Sequence, residues 1–400
     1  MDGRKPPSGT FASIRPEIAG LPESGILTVA NYGREREGLL PLWFGEGDLP
    51  TPDFISEAAV RALRDGHTFY TYQRGIPPLR EALSDYLHRL YGTEVAVDRI
   101  TVTASGMQAI MLTMQALIDP GDELVVVTPV WPNVYSAARI MGGVVRAVPM
   151  EAADGRWRLD PDRLFAACGP RTRAVFINSP SNPTGWIMPR EDMVRVVEFA
   201  RARGLWIIAD EVYGRFVYDR GPGAVAPSFL EIIGPDDRLI VVNTFSKNWS
   251  MTGWRIGWMV APAELGAAIE NLVQFNTSGL PAFLQYGAVT ALTEGEAAVA
   301  ALVERCRGGR DIVCDRLAGI DGLSVAKPEG AFYLFFGVEG EADSIALAKR
   351  LIDEAGVGLA PGSAFGAGGE GYLRLCFAGS HAHLTKAMDR LVPILERIAR

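Results

Sequence analysis

The sequence predicts an α/β fold, a mostly parallel sheet with helices on both faces, joined to a smaller α+β domain. Three observations predict it. Four short runs, LVVV (124–127), AVFI (174–177), LWII (205–208) and LIVV (239–242), alternate with helical patterns. The runs are apolar throughout, as strands buried on both faces must be. After about residue 290 the pattern changes to an Ala-rich helical stretch, a strand-like run and a long closing helix.

Taken in order, residues 1–50 are Pro/Gly-rich with little periodicity and read as an arm or lid that joins the small domain. Residues 51–290 carry the parallel sheet. Met193, Val196, Val197 and Ala200 show the i, i+3, i+4, i+7 spacing of a helix laid on it. TVTASGMQAI (101–110) reads as a strand end, a turn at Ser105-Gly106, and a helix carrying Ile110, Met114 and Leu117. Residues 291–400 form the smaller domain. It comprises a helix over 295–317, the strand-like AFYLFF (331–336) and the loop PGSAFGAGGEG (361–371), expected as a mobile connection. A final helix has Leu384, Met388, Leu391, Leu395 and Ile398 on one face.

A chain of 400 residues exceeds one ordinary core, and 48% hydrophobic with 22% charged residues is the composition of a soluble globular protein. The net charge of −8 argues against non-specific nucleic-acid binding and against an anionic membrane surface. Cys168, Cys306, Cys314 and Cys376 form no CxxC pair, so a reducing compartment is expected. The start, MDGRKPPSGTF, lacks the apolar stretch of an export signal, and the cytoplasm is the expected location. His67, His88, His381 and His383 lack metal-ligand spacing and are expected at the surface.

In an open parallel sheet, ligands bind beyond the carboxyl ends of the strands. AVFI is followed by Asn178-Ser179-Pro180-Ser181-Asn182-Pro183-Thr184-Gly185, LWII by Ala209-Asp210-Glu211-Val212-Tyr213, and LIVV by Asn243-Thr244-Phe245-Ser246-Lys247. An amide, a carboxylate, a phenol and a lysine thus reach one rim. The helix start at Ser105-Gly106 suits a phosphate, although plain helix capping explains the same residues.

The segment Ser246-Lys247-Asn248-Trp249-Ser250-Met251-Thr252-Gly253-Trp254-Arg255-Ile256-Gly257-Trp258 makes the reading specific. It resembles the cofactor-lysine signature of the class I/II aminotransferases, the aspartate-aminotransferase-like enzymes of fold type I. The resemblance covers nearly the whole chain, in order, through Tyr70 with Gly75-Ile76-Pro77, Ser105-Gly106-Met107, Trp131, Asn178 to Gly185, Asp210 to Tyr213, Lys247, Arg255 and Arg374. It implies a seven-stranded sheet, pyridoxal 5'-phosphate as cofactor, and a homodimer with shared active sites acting on an amino acid and a 2-oxoacid.

By that resemblance Lys247 holds the cofactor as a Schiff base and then moves the substrate's α-proton. Asp210 pairs with the pyridine nitrogen, Tyr213 and Asn182 donate to the ring oxygen, and Trp131 stacks on the ring. Asn178 belongs to the same cofactor set. Ser105, Gly106, Met107, Thr244, Ser246 and Arg255 hold the phosphate, which Tyr70 reaches from the other subunit. Arg374 clamps the substrate carboxylate, with Asn182, Trp131 and Gly45 beside the substrate.

Family members that take dicarboxylic substrates use a second cation. One subgroup places a lysine where this chain has Met107, and another an arginine in the region of 276–283, where there is none. A neutral, apolar or aromatic substrate side chain is therefore expected, unless Arg34 or Arg36 supplies the charge. The alternative activity is a carbon–sulfur β-lyase, which shares the lysine, the aspartate and the arginine.

Overall fold

The computed structural model describes residues 10, 13–221 and 223–399. Residues 1–9 and 11, most of the segment read for an export signal, lie outside them. Seven strands form the large sheet: β1 (Ile100–Thr103), β2 (Glu123–Thr128), β3 (Val144–Pro149), β4 (Thr172–Asn178), β5 (Trp206–Asp210), β6 (Leu239–Thr244) and β7 (Gly257–Val260). Their order is β1-β7-β6-β5-β4-β2-β3. All neighbours are parallel except β7, which is antiparallel to both β1 and β6.

The apolar runs explain why both faces are covered. Leu124, Val126, Phe176, Ile208, Ile240 and Val242 belong to one core, with Ile110 and Met114 of the helix Gly106–Leu117. Val125, Val127, Val175, Ile177, Ile207 and Val241 belong to the other, with Met193, Val196, Val197 and Ala200 of the helix Arg190–Arg203. Alternate residues of one strand thus feed two cores, and no polar position interrupts the four apolar runs.

The smaller α+β unit holds an antiparallel sheet of β8 (Leu323–Val325), β9 (Tyr333–Val338), β10 (Ala360–Pro361) and β11 (Tyr372–Cys376), in the order β8-β9-β11-β10. The closing helix, His381–Ile398, is capped by Ser380, whose hydroxyl accepts from His383 N at 3.2 Å. It buries Leu384, Ala387, Met388, Leu391 and Leu395. Truncating Leu391 to Ala there costs about 2–5 kcal/mol.

Two expectations are corrected. The first 50 residues are not irregular throughout: Ser24 caps a helix over Gly25–Gly33, and Leu40–Pro41 pairs in parallel with Val357–Gly358. Val29, Ala30 and Gly33 provide the buried face, at a spacing too short to stand out among the surrounding Pro and Gly. The loop 361–371 is tied down rather than slack. Phe365 O accepts from Val130 N at 3.0 Å, and the Ser344 and Ser363 hydroxyls meet at 2.9 Å. His67, His88 and His381 are exposed and His383 is half-buried. No group of metal-ligating side chains occurs among the described residues, and no described helix is long and apolar enough to cross a membrane.

Candidate active site

The carboxyl ends of β4, β5 and β6 deliver the polar residues to one rim. Asn178 lies in register with Asp210, and Asp210 with Val242. Asn178 Nδ2 donates to the Asp210 carbonyl at 3.0 Å, while its Oδ1 accepts from Asn182 N at 2.7 Å. The Asn-Pro turn after β4 is therefore laced to the end of β5, and Asn182 serves both the turn and the rim. Thr244, at the end of β6, caps the short helix Phe245–Asn248, which lifts Lys247 over the same rim.

Charge is scarce there and strongly perturbed. The Asp210 carboxyl is buried, and its one hydrogen bond among the described residues is a long one, 3.4 Å from Val212 N. Burial raises its pKa to about 7, against the lowering effects of that bond and of Lys247. A carboxylate so placed favours a cationic N–H partner. Lys247 Nζ donates to the Gly45 carbonyl at 2.7 Å. Burial lowers the ammonium pKa to about 8, aided by the nearby positive charges of Arg374 and Arg255. Glu211, next to Asp210, is buried too and pushed up to about 7. It faces away from the cavity, accepting from Ser228 Oγ at 2.7 Å and Phe229 N at 3.0 Å.

The same cavity is lined by a helix start, hydroxyls and a guanidinium. Gly106 opens the helix Gly106–Leu117 directly above Gly257 of β7. A Cβ at Gly257 would stand 2.6 Å from Gly106 N, so only glycine lets the helix start approach the sheet. Thr244 Oγ1 and Ser246 Oγ are 3.0 Å apart. Arg255 adopts the left-handed conformation (φ 55°), and its Nη1 donates to Thr252 O at 2.6 Å. The Ser105 hydroxyl does not reach the cavity. It caps the helix, accepting from Gln108 N at 3.2 Å, which is the plain-capping alternative for that side chain.

Arg374 enters from β11. It is 3% exposed, and its guanidinium lies between the rings of Tyr333 (4.6 Å) and Phe365 (4.9 Å). Nη1 donates to Asn182 Oδ1 at 3.0 Å, Nη2 donates to the Trp43 carbonyl, and Nε has no partner among the described residues. The Tyr213 hydroxyl is 2.7 Å from that of Tyr333. Burial pushes both phenols up, so both stay protonated.

Gly45, Gly106, Met107, Trp131, Asn178, Asn182, Asp210, Tyr213, Thr244, Ser246, Lys247, Arg255 and Arg374 all line one cavity of about 610 Å³. Of the other residues singled out in the sequence, Ser105 is buried behind the helix start and Tyr70 is 95% exposed, outside the cavity. Arg34 and Arg36 do not line it either: Arg36 pairs with Asp353 and stacks on Tyr32. Sequence reasoning missed Tyr333, Phe44, Ile26, Glu46 and Asn133 as lining residues, and the Trp43 carbonyl. The sequence carries no distinguishing signal for them, since even Tyr333 sits in a run, AFYLFF, that fits a strand whether or not its hydroxyl is used.

Residues 41–391 match the family described as aminotransferase class I and II. The chain belongs to that family. The aminotransferase is 36% identical over 372 residues to the aspartate/prephenate aminotransferase of Thermus thermophilus, covering 91% of this chain and 93% of that protein. It superposes on the crystal structure of an aspartate aminotransferase from Thermotoga maritima with a TM-score of 0.89 and 34% identity, covering 96% of this chain and 100% of that one. An alanine aminotransferase from Pyrococcus furiosus superposes with a TM-score of 0.90 at 27% identity, again over 96% and 100%. The predicted fold class, with its seven-stranded sheet, and the assignment as an aminotransferase are thereby established.

Proposed function

We propose that this aminotransferase carries pyridoxal phosphate on Lys247 and moves the amino group of a neutral L-amino acid to a 2-oxoacid in two half reactions. One observation carries the reading. A buried arginine with an unpaired N–H, a lysine of lowered pKa and a buried, under-bonded carboxylate open onto the same cavity.

The residues fit the cofactor. Asp210 would pair with the pyridine N–H, Tyr213 and Asn182 would donate to the ring oxygen, and Trp131 would cover a ring face. Gly106, Met107, Thr244, Ser246 and Arg255 would hold the phosphate, with Ser105 supporting them as the helix cap. The bound cofactor supplies an electron sink for the pair left on the substrate α-carbon. Arg374 would fix the substrate carboxylate and so orient the α-carbon. Lys247, with a large neutral fraction near pH 8, is suited to take the α-proton and return it.

The side-chain preference rests on the charges of the cavity. Its cationic lining residues are Lys247, Arg255 and Arg374, each already occupied in this reading, while Ile26, Phe44, Met107 and Ile110 offer apolar surface. Relatives named for aspartate make the dicarboxylic substrate the rival. In the same reading residues 51–290 form the cofactor domain, and 291–400 with the arm 1–50 form the domain that brings Arg374. The protein works as a cytoplasmic homodimer.

The test is the visible spectrum of the purified protein with pyridoxal phosphate, repeated with L-amino acids one at a time. A band that Lys247→Ala lacks, and that neutral amino acids convert to the pyridoxamine form, is the expected result. Release of pyruvate and ammonia from β-substituted substrates without that conversion replaces the aminotransferase half reaction by a lyase. Faster conversion by aspartate than by phenylalanine, leucine or methionine overturns the neutral preference.

A further inference from the structure

Tyr333 enters the cavity on the first residue of β9, opposite Cys376 and diagonal to Arg374 of β11. Residues on these positions share one face of the sheet, and the central guanidinium carbon of Arg374 lies over the Tyr333 ring, 4.6 Å from its centroid. The same carbon lies 4.9 Å from the centroid of the Phe365 ring. A guanidinium held between two rings keeps its plane, and its fork, in one orientation.

The hydroxyl end does something different. It sits 2.7 Å from the hydroxyl of Tyr213, and no other described side chain bonds to the Tyr213 oxygen. It also lies where residue 45 must lack a side chain, because a Cβ on Gly45 would stand 2.1 Å from it. Two protonated hydroxyls in contact use one proton between them and leave one to donate elsewhere. If Tyr213 donates to a ligand in the cavity, Tyr333 must donate to Tyr213. A donor that itself accepts a hydrogen bond is polarised and donates more strongly.

We propose that Tyr333 is a positioning residue with two separable roles: its hydroxyl orients and strengthens Tyr213 as a donor to the cofactor ring oxygen, and its ring fixes Arg374 for the substrate carboxylate. The inference rests on the cofactor reading above.

The test compares Tyr333→Phe, Tyr333→Leu, Tyr213→Phe and the double variant Tyr213→Phe/Tyr333→Phe, all loaded with pyridoxal phosphate. The pKa of the visible band is titrated in each, and the Kd of an unreactive 2-methyl amino acid is measured spectrally. Tyr333→Phe keeps the ring and is expected to raise the band pKa by a few tenths of a pH unit with little change in Kd, a modest share of the Tyr213→Phe effect. Tyr333→Leu is expected to shift the band equally and to weaken analogue binding roughly 2–30-fold, the range of a lost cation–π contact. The double variant is expected to match Tyr213→Phe alone. An unchanged band in Tyr333→Phe, or a shift that persists in full when Tyr213 is already Phe, overturns the hydroxyl role. Equal Kd in Tyr333→Phe and Tyr333→Leu overturns the ring role. Absence of any band in the wild type overturns the cofactor reading instead.

Discussion

The amide oxygen of Asn182 and the guanidinium of Arg374, 192 positions apart in the chain, meet at 3.0 Å. The contact joins the turn after β4 of the large sheet to β11 of the small one. It accounts for one of the guanidinium nitrogens, the Trp43 carbonyl accounts for a second, and Nε is left for a ligand. Arg374 is thus held by neutral acceptors, and its buried charge has no carboxylate partner among the described residues.

That arrangement predicts the outcome of Arg374→Lys. The ammonium keeps the charge but cannot reproduce the planar fork or the stacking between two rings. Charge-assisted hydrogen bonds contribute about 1.5–3 kcal/mol each, so kcat/KM for amino acids is expected to fall at least about 100-fold. The visible cofactor band should remain, since Lys247 and Asp210 are untouched. Steady-state kinetics with the spectrum as control checks both parts.

If Lys247 captures the cofactor, its burial sets a pH dependence for that step. Burial lowers its pKa to about 8, and only the neutral amine attacks an aldehyde. Uptake of pyridoxal phosphate by the unloaded protein, followed by stopped-flow absorbance, should rise through a midpoint near pH 8. A lysine with its ordinary pKa would place that midpoint near 10.5. Arg374→Gln removes a nearby positive charge and should move the midpoint upward.

The same residues show how far a sequence can be read. The strands were legible because apolar residues run without interruption through LVVV, AVFI, LWII and LIVV, and the rim because three of the four runs lead into polar residues, at Asn178, Asp210 and Asn243. Arg374 stood out as a charge inside the apolar strand YLRLC. Tyr333 did not, because a tyrosine in AFYLFF matches the strand pattern whether its hydroxyl is used or not. Its role depends on the pairing of β9 with β11 and on the approach of Gly45, both long-range consequences of the fold. The helix Gly25–Gly33 was hidden for a similar reason: its buried face is defined by packing against the helix Ser344–Ala355, more than 300 positions away.

Asp210 and Glu211 give a stability prediction for the unloaded protein. Burial raises both carboxyl groups to about 7 from their ordinary values of 3.8 and 4.5. Between those limits the folded chain holds protons that the unfolded chain has released, so stability falls as pH rises from about 4 to about 7. The thermal midpoint of the unloaded protein should therefore be lower at pH 7.5 than at pH 5.5. Asp210→Asn should remove part of that fall and leave the part due to Glu211. Loading the cofactor should have the same effect on the Asp210 part, because a positive N–H beside Asp210 favours its ionised form.

Tyr70 bears on assembly. It is 95% exposed, with Phe69 at 83%, Tyr72 at 62% and Phe275 at 85%. Gln73 Nε2 donates to Gln274 Oε1 at 2.8 Å, which brings the 69–73 segment beside the helix end carrying Phe275. Aromatic side chains grouped on a surface mark an interface more often than a free face. If two copies meet there and each lends Tyr70 to the other's cavity, Lys247→Ala and Tyr70→Ala chains should complement one another. In a mixed dimer one cavity then carries both lesions and the other carries neither. Co-refolding the two inactive variants in equal amounts should restore roughly a quarter of the wild-type activity, the statistical share of intact sites in randomly paired dimers. Activity that never exceeds the mean of the two parents would place Tyr70 outside the partner's site.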